Sequence, residues 1–147
     1  MVRSSSLQHY SLFGGLLEEQ IDKIIPLMEP ETYEAGENII VEDEPNDKIR
    51  FILEGRVAVM KKGITFVEFT EGDSFGEMAV LDIMPASATI KTLTPTQVMS
   101  ISNKALHAIY KLDIGTFSLM IMNLARDLSR RLRYMDEQIA GGNFKIP

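Results

Sequence analysis

The chain has 147 residues, 45% hydrophobic and 24% charged, with no Cys, two His and a net charge of −6. That is one domain with enough apolar content for a core, and it excludes a disulfide-stapled miniprotein, a disordered tail and a Cys/His zinc centre. No apolar run nears the roughly 18–20 residues that cross a bilayer, no signal-peptide core follows Ser6, and the acidic balance opposes nucleic-acid binding, so a cytoplasmic protein with neither a membrane nor a nucleic-acid partner is expected.

Residues 1–34 read as an N-terminal helical segment. Leu16, Leu17, Ile21, Ile24, Ile25 and Met28 recur at helical spacing among charged residues, and Pro26 and Pro30 punctuate the end. Residues 35–102 change to short strands separated by turns. Ile39-Ile40-Val41 is followed by an acidic loop, Glu42 to Asp47, containing Pro45-Asn46. Ile49, Phe51 and Leu53 then alternate with Arg50, Ile52 and Glu54, and turns at Gly55, Lys62-Gly63 and Glu71-Gly72-Asp73 bound further strands. Thr89 to Leu93 and Gln97 to Ile101 complete the set. Closely spaced short strands with Gly-rich turns predict a mostly β fold, a jelly-roll β-roll (double-stranded β-helix) with flanking helices. Residues 103–140 read as C-terminal helices, the first capped by Asn103. In the second, after Gly115, the residues Phe117, Ile121, Leu124, Leu128, Leu132, Met135 and Ile139 are spaced 4, 3, 4, 4, 3 and 4. That is one apolar stripe over about six turns, ended by Gly141-Gly142.

One segment interrupts the β region with a short helix-like piece, Glu77 to Leu81, preceded by Gly76. A Gly there lets backbone approach a ligand with no Cβ in the way, and helix N–H groups suit an anion. Glu77 is an acceptor for sugar hydroxyls.

These strings resemble the cyclic-nucleotide-binding domains of catabolite-activator proteins, kinase regulatory subunits and gated ion channels. The likeness runs from about Leu12 to Tyr134 and rests on Ala35 to Ile40, Asp47 to Val57, the cassette start Gly72-Asp73-Ser74-Phe75-Gly76-Glu77-Met78-Ala79 and the cassette end Pro85-Ala86-Ser87-Ala88-Thr89. The resemblance implies a phosphate-binding cassette over residues 72–89. Its candidate ligand contacts are Phe75, Gly76, Glu77, Met78, Ala79, Ala86, Ser87 and Ala88, with Glu77 on the ribose 2′-hydroxyl and Arg131, or its neighbour Arg130, from the C-terminal helix where the base is capped. It further implies no cofactor, cyclic AMP or cyclic GMP as effector, and a homodimer seam made by Phe117, Ile121, Leu124, Leu128, Leu132 and Met135.

The pattern breaks at Ala86, where the family carries the arginine that neutralises the cyclic phosphate. Losing such a hydrogen-bonded charge in a desolvated site costs roughly 2–5 kcal/mol, about 30-fold to several-thousand-fold in affinity. Three arrangements would offset the loss: Lys91 reaching back, an arginine entering from the C-terminal helix, or a ligand without the phosphate charge. Asp43 also stands where the family often has Gly, which puts the shape of that turn in question.

The chain is therefore expected to be a regulatory, non-catalytic module that binds a cyclic nucleotide weakly or a related small effector and signals through its C-terminal helix. The alternative is a nucleotide-independent interaction module with a decayed site. Too few residues follow Ile139 for a helix-turn-helix domain, so the output would pass to an unknown partner protein or a dimer mate.

Overall fold

The structure, a computed structural model, describes residues 2–142; the side chain of Ala79 also lies outside the description. A short helix α1 (Ser4–Leu7), a 3₁₀ turn (Ser11–Phe13), helix α2 (Glu18–Ile24) and a second 3₁₀ turn (Ile25–Leu27) lead into eight strands. One antiparallel sheet has the order β1 (Glu29–Tyr33), β8 (Thr96–Ser102), β3 (Lys48–Glu54), β6 (Ser74–Phe75). The other has the order β2 (Asn38–Ile40), β7 (Thr89–Thr92), β4 (Val57–Lys61), β5 (Ile64–Phe69). Helix α3 (Glu77–Asp82) sits between β6 and β7, and α4 (Asn103–Leu112) and α5 (Ile114–Ala140) close the chain. This is the β-roll with flanking helices that the strand and turn pattern predicts.

The helical reading of residues 1–34 needs correction at its end. Helical structure stops at Leu27, and Glu29–Tyr33 is an edge strand paired only with β8. Pro30 lacks an N–H, which an edge strand tolerates because one of its sides needs no ladder bond. Two helix starts also differ. Ser102, not Asn103, caps α4 by accepting from Ala105 N at 3.1 Å. Asp113 caps α5, its Oδ1 accepting from Gly115 N at 3.0 Å. Strand β3 does not present alternate faces to core and water, because Ile49, Arg50, Phe51 and Ile52 are all buried.

Two apolar cores result. Between the sheets, Ile40, Ile52, Val57, Phe75, Ala86, Ile90 and Val98 pack together. Beneath the first sheet, Phe51 and Ile101 meet Leu12, Phe13, Ile21, Ile24, Ile109, Met120 and Leu124 of the helices. Asn123 fastens α5 to this second core, its Nδ2 donating to the carbonyls of Leu12 and Gly14 at 3.0 Å each. Ser11 Oγ adds a bond to Asp127 Oδ2 at 2.7 Å.

Candidate ligand site

The site is built where β6 runs into α3. Gly76 makes the bend with φ 86°, a left-handed conformation in which a side chain is strained. Space forbids one as well: a Cβ there would lie 2.7 Å from the Lys48 carbonyl oxygen. Asn46 holds the bend, its Nδ2 donating to the carbonyls of Gly76 and Lys48, both at 3.0 Å. Asn46 Oδ1 accepts in turn from Arg50 Nη1 at 3.1 Å, and Arg50 Nε donates to Glu31 Oε1 at 2.8 Å. Burial raises the Glu31 carboxyl, but the hydrogen bonds from Arg50 and Tyr33 outweigh it and hold the group below its ordinary value. The buried Arg50 on a central strand thus anchors the loop that sets the cassette.

The bend opens on a cavity of about 520 Å³, within the range of small-molecule sites. Its walls are mostly apolar: Ile40, Val59, Phe69, Phe75, Met78 and Ile90 among them, with Leu128, Leu132 and Met135 of α5 across the opening. Gly76, Glu77, Ala86, Ser87, Ala88, Asn46 and Arg131 complete the lining. Ala79 belongs to α3, and its side chain lies outside the described residues. Ser87 is exposed, with its Oγ 3.9 Å from Met78 Sδ.

The polar centre is an ion pair reaching from α5 to the cassette. Arg131 Nη1 donates to Glu77 Oε1 at 2.8 Å, and its Nη2 donates to the Ser74 carbonyl. The guanidinium also lies over the Phe69 ring, 4.4 Å from its centroid. Glu77 is 3% exposed. Burial pushes its carboxyl above the ordinary value, with Arg131 opposing that and Asp127 adding to it. Its second oxygen, Oε2, is buried with no hydrogen-bond partner. Such an orphan costs about 1–3 kcal/mol, more when charged, unless something fills it.

Of the three arrangements that would offset Ala86, Lys91 does not line the cavity, and an arginine does enter from the C-terminal helix. Arg130 instead pairs with Asp127 at 2.8 Å. Asp43 adopts φ 68°, the conformation a glycine would take, and Asp is among the residues that tolerate it. The apolar stripe on α5 meets two different surfaces of its own chain. Leu124 is 1% exposed within its own chain, Phe117 and Ile121 pack against the same helical core, and Leu128, Leu132 and Met135 line the cavity. Leu132 nevertheless stays 64% exposed, so this chain covers the cavity end of the stripe only in part. Asn46, Phe69, Val59, Ile40 and Ile90 are lining residues that the motifs did not single out.

Among the described residues, no group of three or more His, Cys, Asp and Glu side chains is placed to hold a metal ion, and no helix is long and apolar enough to cross a membrane.

Comparison with known proteins gives a consistent picture. Residues 30–113 match the profile of the cyclic nucleotide-binding domain. A cAMP-dependent protein kinase regulatory subunit of Yarrowia lipolytica is 29% identical over 96 residues, 65% of this chain and 26% of that protein. A CRP-like cAMP-activated global transcriptional regulator of Mycobacterium tuberculosis is 25% identical over 139 residues, 91% of this chain and 60% of that protein. The chain thus spans less than two thirds of these relatives. A crystal structure of a cyclic nucleotide-binding domain from Methylobacillus flagellatus shares the fold with a TM-score of 0.86 at 24% identity, over 97% of this chain and 83% of that one.

Proposed function

We infer that this chain, which belongs to the cyclic nucleotide-binding domain family, is a regulatory module that binds a cyclic nucleotide weakly, or a related small effector, between its cassette and α5. The reading assigns it no catalytic step and a cytoplasmic location. One observation carries it: Glu77 Oε2 is a buried acceptor with no partner, at the wall of a cavity that α5 lines. A ligand hydroxyl would satisfy that oxygen. The same ligand would contact Leu128, Leu132 and Met135, so occupancy and the position of α5 are coupled. The coupling is limited to the ligand's preference for one helix position over the other. An unknown partner protein or a dimer mate would receive the signal. In a homodimer built along α5, the exposed Leu132 would be available to the seam and the buried Leu124 would not.

The alternative, a nucleotide-independent interaction module, is favoured by the Arg131–Glu77 pair, which partly satisfies the site without any guest. Thermal unfolding with cyclic AMP, cyclic GMP, adenosine and guanosine separates the two. A ligand at 100 times its dissociation constant adds about 2.7 kcal/mol, and Glu77→Ala should remove the gain. No shift with any of the four at millimolar concentration leaves the interaction module.

A further inference from the structure

We propose that the site selects an effector without negative charge: a neutral molecule bearing a hydroxyl donor, with the nucleoside rather than its cyclic monophosphate as the matching form. This rests on the effector reading above and names the ligand class for the same cavity.

The argument is a charge count. The charged side chains lining the cavity are Glu77 and Arg131, and they pair with each other at 2.8 Å. Arg131 is further committed to the Ser74 carbonyl and the Phe69 ring. A neutral guest leaves the site with one cation and one anion. An anionic guest leaves two anions sharing one cation among apolar walls, where an uncompensated charge is heavily penalised.

The segment around Ala86 brings no cation to the cavity. Ala86 N donates to the Glu44 carbonyl and Ala86 O accepts from Asp43 N, both at 2.9 Å. The nearby Asp127 adds negative potential at Glu77. What the cavity wall lacks is a donor for Glu77 Oε2. A ribose 2′-hydroxyl supplies one in the nucleoside and the cyclic monophosphate alike, so it is the charge count that separates the two.

The test is calorimetric titration of the full chain with adenosine against cyclic AMP and guanosine against cyclic GMP, repeated on Ala86→Arg. The unaltered chain should bind at least one nucleoside about tenfold or more tighter than its cyclic monophosphate. Ala86→Arg should raise affinity for the cyclic monophosphate relative to the nucleoside by about 30-fold or more. Tighter binding of the cyclic monophosphate by the unaltered chain overturns the charge argument and leaves the effector reading standing. Binding of none of the four ligands by a chain that circular dichroism shows to be folded overturns both. If Ala86→Arg fails to fold, the order of affinities in the unaltered chain decides alone.

Discussion

Arg131→Met removes the cation that faces Glu77 while keeping an apolar stem over Phe69. Glu77 is 3% exposed and the Arg131 side chain 31%, so the pair is shielded on one side. A hydrogen bond between charged groups is worth about 1.5–3 kcal/mol, and the stacking on Phe69 adds about 0.5–1 kcal/mol. A loss of about 3 kcal/mol at neutral pH follows, which for a domain of this size is a fall of about 6–12 °C in Tm. The pH dependence has a definite sign. The Glu77 carboxyl already ionises above its ordinary value in the folded chain. The folded state therefore holds that proton more tightly than the unfolded one, and the associated stability is present at acid pH and lost as pH rises through the folded value. Removing Arg131 raises that value further, so the deficit should be largest at pH 8 and shrink toward pH 4. Urea denaturation at pH 4, 6 and 8 on Arg131→Met, Glu77→Gln and the double variant measures it, with a coupling of about 2 kcal/mol expected at pH 8. A coupling below about 0.5 kcal/mol, or a deficit independent of pH, would show that Arg131 does not hold Glu77.

Gly76→Ala puts a Cβ 2.7 Å from the Lys48 carbonyl at φ 86°; about 2 kcal/mol or more of stability should be lost in urea, and a neutral result would mean the bend relaxes freely. Asn123→Ala strips the donor from the Leu12 and Gly14 carbonyls and should cost about 2–3 kcal/mol in the same assay; an unchanged midpoint would mean that α5 is fastened by packing alone. Leu128→Asp should abolish ligand-induced stabilisation and leave the sedimentation mass unchanged, because Leu128 lines the cavity; conversion of a dimer to a monomer would reinstate the seam. The Tyr33 hydroxyl, raised to about 12 by burial and its bond to Glu31, should ionise last among the tyrosines in an ultraviolet titration. A Tyr33→Phe chain lacking no late step would refute that.

The roll and its turns were legible because Gly55, Gly63 and Gly72 punctuate short apolar runs, and the cassette because its residues are contiguous. Strand β1 was hidden by Pro30, which reads as a breaker and is harmless at a sheet edge. Arg50 looked outward by alternation, yet β3 is covered on both faces, and no alternation rule describes such a strand. The stripe on α5 was visible, but spacing alone does not say which surface it meets. A signal for Arg131 was present: it stands three residues after Leu128 and four before Met135, so it shares the apolar face of α5. A cation on that face needs a carboxylate beneath it. That this carboxylate is Glu77 depends on a contact 54 residues distant, which no local pattern encodes.

The two halves of α5 are unequally held. Up to Asp127 the helix is tied to the N-terminal segment by Asn123 and Ser11, whereas Leu128, Arg131, Leu132 and Met135 meet the cavity. The helix is thus pinned near Asp127, and the stretch beyond it, ending at Ala140, meets the cassette through Arg131. At about 1.5 Å per residue that stretch is roughly 19 Å long, and a tilt of about 10° moves its tip by about 3 Å. Under the proposed reading, a guest that displaces Arg131 would shift the far end of the helix by more than it shifts Arg131.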